Sequence, residues 1–476
     1  MTSIFENFGM YVTIFNIFFL LLIIFIEKKR PVSALFWISL LVFVPYLGFF
    51  LFLFFGLKMK KSRIITKYYE RKFSLTNPKN KKEENSLLLD NKNIIDYLKY
   101  SGAGEPSSYT DSLLFNNGET FFNNLFTDIE NATKSIQMEY FVFKEDELGK
   151  TFYSLLLKKA SQGVDIKLII DGVNSTTYWR QKALREAGIN IKLFFPSLLP
   201  WLKIVNLRAN YRDHRKITII DGKIGYIGGF NIGNEYLGDG KLGKWRDTAV
   251  RLQGNIVSEL YKEFIVSWNF VRKSSKKKTF FPEIEPIVYP PSVVQNASQL
   301  VSSGPNFETR TARDNFLNLI LNAKKTIYLE TPYFVPDDTI LDALKIAALS
   351  GVDIQIIIPN KPDHLFIYWV NQAYAWDLIK YGVKFSKYNT GFIHSKMMIV
   401  DNKIATLGST NLDYRSFYQN FEININIYSG ELLKELEIDF LEDLKDSTPL
   451  TLRDYGQRTI VIKMKESIFR LFAPLM

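Results

Sequence analysis

Two stretches of this sequence carry the same polar residues at the same spacing. His214-Arg215-Lys216 is followed by Asp221 and then Gly228-Gly229-Phe230-Asn231. His394-Ser395-Lys396 is followed by Asp401 and then Gly408-Ser409-Thr410-Asn411. Both read H-x-K-x4-D-x6-G-[GS]-x-N. A lone H-x-K carries no information, but recurrence of the whole pattern does. Side chains two apart on a strand share a face, so each His shares a face with its Lys. Asp221 and Asp401 count with the histidines and lysines in the catalytic set; Asp221-Gly222 and Asp401-Asn402 are hairpin-turn signals, so the role expected of these two within it is to fix the turn rather than to carry a proton. Small residues after the next strand let the backbone approach an anion. Gly229, Ser409, Asn231 and Asn411 are therefore the expected phosphate-binding set.

One half-site supplies one His, one Lys and one Asn; two facing half-sites supply two of each. That inventory suits a phosphodiester. Lys216 and Lys396 neutralise non-bridging oxygens. One His attacks phosphorus, and the other protonates the leaving alkoxide and later deprotonates the incoming alcohol or water. Neither metal nor organic cofactor is required. A carboxylate must fix each imidazole tautomer. The candidates are Glu422, which lies 28 residues after His394, and Asp247 in the first half. The third histidine, His364, has no partner motif and reads as an ordinary exposed residue, with a loop role near substrate as the alternative. With no Cys in the chain, thiolate catalysis, disulfides and Cys-type zinc sites are excluded.

The elements that must position these residues also repeat. Ala132-Thr133-Lys134-Ser135-Ile136 leads to Glu139-Tyr140-Phe141-Val142, and Ala323-Lys324-Lys325-Thr326-Ile327 leads to Glu330-Thr331-Pro332-Tyr333-Phe334-Val335. A helical stretch and a Gly-initiated β-branched run follow in both, from Gly163 and from Gly351. Such runs alternating with helices indicate buried strands of an α/β sheet.

Ahead of the repeats, Met10 to Ile26 and Pro31 to Leu57 are uncharged and apolar, the second with Pro45 inside it. Their lengths predict two membrane spans, the second crossing with tilt or with a kink at Pro45; a re-entrant or single-span arrangement is the alternative. Seven basic residues between Lys58 and Lys72, against three between the two runs, place the body on the cytoplasmic side. The net charge of +11 suits an anionic partner. The resulting division is two membrane segments over 1–57, a basic linker over 58–105, one α/β repeat over 106–272, a Pro-rich linker over 273–300, and a second repeat with a tail over 301–476.

The paired motifs resemble the phospholipase D superfamily, and the full layout resembles a bacterial cardiolipin synthase. The resemblance rests on Tyr140-Phe141-Val142-Phe143, Asp213-His214-Arg215-Lys216, Gly228 through Gly238, Trp245-Arg246-Asp247, Thr331 through Asp337, His394-Ser395-Lys396 and Asn411 through Phe417. It implies two tandem α-β-α sandwich domains around one shared active site, after two N-terminal transmembrane helices. It implies a multi-pass protein of the cell membrane that joins two phosphatidylglycerols into cardiolipin and glycerol through a phospho-histidine. Its partners are then that lipid and the anionic membrane, with no nucleic acid. By the same resemblance His214 is the nucleophile and His394 the acid/base; sequence symmetry alone does not rank them. A phospholipase D, or a phosphatidyltransferase with another acceptor, is the alternative. The apolar loop Phe194 to Leu202 either dips into the lipid interface or packs in the core. The C-terminal segment from Ile468 is an interfacial helix, a packed element or a tail.

Overall fold

The β-branched runs become strands and the stretches between them become helices. The structure, a computed structural model, describes residues 2–26, 31–52, 91–172, 178–195, 211–271, 296–307, 309–471 and 473. Residues 58–90 of the basic linker, 273–295 of the Pro-rich linker, 196–202 of the apolar loop and the last three residues lie outside the described residues. The chain divides into two compact units.

The first unit holds the N-terminal helices α1 (Thr2–Ile26), α2 (Pro31–Phe43) and α3 (Pro45–Leu51). The second apolar run is not one helix. It breaks at Val44, and Pro45 opens the next helix, because a proline ring lacks the N–H and clashes with the preceding turn. The two membrane spans expected from the sequence are not supported. Among the described residues no helix is long and apolar enough to cross a membrane.

The second unit holds both repeats. It opens with α4 (Lys92–Tyr100), β1 (Ser107–Ser108) and β2 (Asp111–Asn117). Then come α5 (Gly118–Glu130), β3 (Ser135–Tyr140), α6 (Glu147–Ser161), β4 (Asp165–Asp171), α7 (Tyr178–Glu186) and β5 (Asn190–Phe194). The first motif begins β6 (Lys216–Ile220), followed by β7 (Ile224–Gly228), β8 (Trp245–Gln253) and α8 (Asn255–Val271). The second repeat runs β9 (Ala297–Ser303), α9 (Thr311–Asn322), β10 (Thr326–Glu330), β11 (Phe334–Val335), α10 (Asp338–Leu349), β12 (Asp353–Pro359), α11 (Leu365–Ile379) and β13 (Lys384–Tyr388). It continues with β14 (Phe392–Ile393), β15 (Met397–Val400), β16 (Ile404–Gly408), β17 (Leu412–Asp413), α12 (Tyr414–Tyr418) and β18 (Glu422–Ile427). The chain closes with α13 (Glu431–Lys445), β19 (Ser447–Leu450), α14 (Leu452–Gln457) and α15 (Ile460–Arg470).

The two main sheets share one strand order. The first contains β8-β7-β6-β3-β4-β5 and the second β18-β16-β15-β10-β12-β13. In each, the strands before and after the first crossover helix pair in parallel, and the motif hairpin adds antiparallel strands. Helices cover both faces. Tyr226 of β7 packs on Phe121 of α5, while its neighbour Gly225 turns the opposite face toward Leu260 of α8. In the second sheet Tyr328 stacks on Phe440 of α13, and Ile327 and Leu329 join Phe316 and Leu319 of α9 in the core. The repeats exchange strands: β14 lies beside β8 in the first sheet, and β1 lies beside β9 in the second.

The motif turns have the shape their residues permit. Asp221 and Gly222 have φ of 53° and 66°, and Asp401 and Asn402 have 54° and 51°. Two successive positive φ values make the tight hairpin that matches strand twist. Asp221 accepts from the backbone N–H of Thr133, Lys134 and Ser135 at 2.7–2.9 Å. Asp401 accepts from Lys324, Lys325 and Thr326 at 2.7–2.8 Å. Both aspartates thus tie the hairpin to the start of the neighbouring strand.

Candidate active site

His214 and His394 sit just before their strands, not within them as the i, i+2 reading had it. Each is held by the other repeat. His214 N–H donates to the Phe421 carbonyl at 2.9 Å, and Asp213 bridges Phe421 in parallel. His394 N–H donates to the Arg246 carbonyl at 2.7 Å, and Ile393 pairs with Arg246 in parallel. In a parallel register the next residues on the two chains are neighbours. His214 therefore stands beside Glu422, and His394 beside Asp247. His214 Nδ1 lies 3.0 Å from Glu422 Oε2 and 3.1 Å from Oε1. His394 Nδ1 lies 2.6 Å from Asp247 Oδ2. The two carboxylates singled out from sequence are thus brought to the histidines, but crosswise: each serves the imidazole of the other repeat.

A carboxylate beside Nδ1 accepts a hydrogen bond from the N–H there, which fixes the tautomer and leaves Nε2 for chemistry. The lysines follow the same symmetry. Lys216 Nζ donates to the His214 carbonyl at 2.6 Å, and Lys396 Nζ donates to the His394 carbonyl. Lys396 also lies 3.5 Å from Asp247 and 2.7 Å from His394 Nδ1. The anionic carboxylate wins that nitrogen's proton, and the ammonium settles on Asp247 and the backbone.

Both imidazoles, both ammonium groups and both carboxylates are buried. Burial pulls the His214 pKa down, and that of His394 to about 3 with added repulsion from Lys396. Burial pulls Lys216 to about 7, with Lys396 repelling it, and Lys396 to about 8. Burial would raise Asp247 and Glu422, but the adjacent lysine charges and the hydrogen bonds from the histidines more than offset it and hold both below the usual carboxylate range. Lys216 feels Lys396, Glu422 and Asp247, so the two half-sites form one electrostatic unit. The site is thus poised for an anion: two close cations, two neutral imidazoles, and little water.

The small residues do other work than the sequence implied. A Cβ on Gly229 would fall 1.9 Å from Asp247 Oδ1, so this glycine makes room for the carboxylate. Ser409 Oγ donates to Glu422 Oε2 at 2.5 Å and accepts from Ile423 N–H. Both were expected to bind phosphate; each instead seats the carboxylate that orients a histidine. Asn231 Oδ1 accepts from Val142 N–H at 3.2 Å, whereas the buried Asn411 Oδ1 has no hydrogen-bond partner among the described residues. Asp221 and Asp401, grouped with the catalytic motif, stand at the far turns of their hairpins. His364 caps α11 and its side chain is 69% exposed.

Several contributors were not singled out from sequence. Tyr236 is buried, accepts from Asn231 Nδ2 at 3.3 Å, and places its hydroxyl 3.3 Å from His394 Nδ1. Phe141 meets His214 edge-on at 4.8 Å, and Trp245 packs against His394 at 4.9 Å. Arg215 pairs with Glu139 and Asp213, and Arg246 with Asp443 at 2.6 Å, anchoring both crossing segments. The available signal was adjacency, since all but Asp443 and Glu139 lie within the motif stretches.

Comparison with known proteins agrees with this geometry. Residues 125–268 and 316–444 match the family model described as "Cardiolipin synthase, PLD-like domain". The chain is 39% identical to the "Major cardiolipin synthase ClsA" of Bacillus subtilis (strain 168), over 97% of this chain and 98% of that one. It is 39% identical to the "Cardiolipin synthase" of Staphylococcus aureus (strain Mu50), over 97% and 95%. A solved phosphatidylserine synthase from Haemophilus influenzae superposes with a TM-score of 0.61 at 14% identity, covering 82% of this chain and 98% of that one; it shares the fold.

Proposed function

The chain belongs to the cardiolipin synthase family of phospholipase D-like phosphatidyltransferases, and from that premise we propose that it joins two phosphatidylglycerols at the paired His214 and His394 half-sites. His214 Nε2 attacks the phosphorus of the first lipid. The bond to its headgroup oxygen breaks, and His394 Nε2 gives that oxygen a proton, releasing glycerol. A primary hydroxyl of the second lipid then loses its proton to His394 and attacks phosphorus. The N–P bond breaks, cardiolipin leaves, and both imidazoles return to their starting state. The free His394 holds its proton poorly; the bound phosphodiester anion offsets the lysine charges and lets it act as an acid.

One observation carries this reading: each imidazole is held through Nδ1 by a carboxylate of the opposite repeat, with both lysines acting on the same centre. The experiment compares wild type, His214→Ala and His394→Ala on phosphatidylglycerol vesicles, with products weighed by mass spectrometry. Wild type yields cardiolipin and glycerol, and both variants lose it by roughly 10³-fold or more. Phosphatidic acid as the sole product of the wild type would reassign the chain to hydrolysis.

We also propose that the N-terminal helices enter the bilayer and that the body lies on its cytoplasmic side. α1 is 25 residues long, which at the helical rise is about 37 Å. Met10, Ile14, Phe15, Phe18 and Leu21 on it are exposed. In the other unit, α15 exposes Ile460, Met464 and Ile468, and Leu471 just past its end is exposed too, with Lys463 and Lys465 among them, which suits an anionic interface. Its other side is packed: Phe469 meets Phe366 at 4.9 Å, and Glu466 accepts from Trp376. Flotation of full-length protein with phosphatidylglycerol vesicles, resistant to salt and alkaline carbonate, is the expected result; release by salt alone refutes insertion.

A further inference from the structure

The two half-sites are near copies, and one of their differences lies beside the motif asparagine. In the first repeat the chain runs from β3 through Phe141 and Val142 to Phe143, which bridges Ile232 in parallel. In the second it runs from β10 through Pro332 and Tyr333 to Phe334, which pairs with Leu412 in parallel. These registers make Val142 and Tyr333 equivalent, each beside the asparagine of its own repeat, Asn231 or Asn411. Val142 is apolar, and its N–H occupies Asn231 Oδ1. Tyr333 instead extends a phenol that donates to Asp363 Oδ2, and Asn411 keeps a buried Oδ1 without a partner among the described residues.

Asp363 lies between β12 and α11. Its Oδ1 accepts from the His364 N–H at 2.7 Å, and its side chain is 13% exposed. A carboxylate oxygen can accept two hydrogen bonds, so each of the two retains an open position. The cluster belongs to the His394 side. Tyr333 lies within electrostatic reach of Tyr236, whose hydroxyl is 3.3 Å from His394 Nδ1. Asp363 acts on the Lys396 ammonium. The two copies of the substrate also differ in need. The first is held by its phosphate; the second must present a hydroxyl to the general base, and water competes for that place. A polar addition on the general-base side alone meets that second need.

We propose that Asp363, Tyr333 and Asn411 form the acceptor subsite, holding the secondary hydroxyl of the second lipid's glycerol headgroup so that its neighbouring primary hydroxyl faces His394. Asp363 accepts from the secondary hydroxyl, Tyr333 keeps the carboxylate aimed, and Asn411 Oδ1 accepts from the primary hydroxyl before the proton moves. This rests on the proposed transfer reaction and adds the choice of acceptor to it.

The test is the partition of one phospho-enzyme between two fates. Wild type, Tyr333→Phe and Asp363→Asn are given phosphatidylglycerol vesicles, and cardiolipin, phosphatidic acid and the glycerol released in the first turnover are quantified. The expected result is a cardiolipin to phosphatidic acid ratio about tenfold lower in Asp363→Asn, read per phospho-enzyme formed, because the leaving glycerol crosses the same side and its release slows as well. The ratio is set within each turnover, so partial loss of folded protein does not alter it. On the wild type, isotopically labelled glycerol supplied as a soluble acceptor is expected to enter phosphatidylglycerol in preference to transfer to 1,3-propanediol, which lacks the secondary hydroxyl, and Asp363→Asn to erase that preference. An unchanged ratio, or an unchanged preference, overturns the subsite. Failure of wild type to release glycerol at all would overturn the transfer reaction instead.

Discussion

His214 Nδ1 lies 3.0 Å from Glu422, a carboxylate 208 positions further along the chain and in the opposite repeat. Its symmetry mate joins His394 to Asp247 at 2.6 Å. Neither half-site can set its imidazole without the other, so the repeats function only as a pair. Replacing the carboxylate by its amide keeps the shape but loses the anion that fixes the tautomer. Glu422→Gln and Asp247→Asn are each expected to lower kcat by roughly 10²- to 10⁴-fold with a smaller change in KM. The chain has three histidines, so ring-nitrogen NMR can separate the two pairs. Glu422→Gln is expected to move the His214 resonances and Asp247→Asn those of His394; the reverse assignment would refute the crossed pairing.

The lysines set the alkaline side of the pH profile. Burial, with Lys396 repelling it, brings Lys216 to about 7, and burial brings Lys396 to about 8. An ammonium is charged below its pKa, so the free site carries both cations in mild acid and loses them as pH rises. The phosphodiester stays anionic throughout. kcat/KM is therefore expected to fall between about pH 7 and 9, where ordinary lysines near pH 10.4 would still be charged. Bound substrate holds both protons, so the fall in kcat alone comes at higher pH. A kcat/KM that climbs through this window would contradict the assignment.

The small residues behind the carboxylates make a graded prediction. Gly229→Ala places a Cβ 1.9 Å from Asp247 Oδ1, and the carboxylate must leave its position. A displacement of that size costs on the order of 10²-fold in turnover. Ser409→Ala removes one donor to Glu422, which still accepts from Asn420 at 3.2 Å and from His214. That loss is expected to be milder, about tenfold, near the worth of one hydrogen bond to a charged group. Steady-state rates at matched thermal stability decide the order; equal activity of Gly229→Ala and wild type would refute it.

The parts of this site legible in the sequence were local. His214 with Lys216, the turns at Asp221 and Asp401, and the strand runs from Ser135 and Thr326 depend on residues within a few positions of one another. The crossed pairing was not legible. It comes from parallel bridges, Asp213 to Phe421 and Ile393 to Arg246, that no local pattern encodes. Gly229 and Ser409 look like an anion cradle by type; only the strands beside them reveal that Asp247 and Glu422 fill the space. Tyr333 sat in a recognised stretch, but its partner Asp363 lies 30 positions away on a separate connection. Pro45 was visible as an interruption, and the sequence alone did not decide between a kinked helix and two.

The motif aspartates separate stability from chemistry. Asp221 receives three backbone N–H groups and the Thr133 hydroxyl, and Asp401 receives three backbone N–H groups. Asp221→Ala strands donors at the start of β3 and is expected to cost roughly 1–3 kcal/mol of stability, with Asp401→Ala similar at β10. Burial would raise the Asp221 pKa, but the N–H groups of Ser135, Thr133 and Lys134 outweigh it and hold the carboxyl below its ordinary value. A carboxyl depressed in the folded state contributes stability above its unfolded pKa, and that contribution drains away as pH falls through the folded one. Thermal melts should therefore show wild type and Asp221→Ala well separated at neutral pH and converging in strong acid. The folded fraction of the variant should turn over within about twofold of wild type, since no atom of Asp221 reaches His214 or Lys216. Equal melting temperatures at neutral pH together with lost turnover would return this aspartate to the catalytic set.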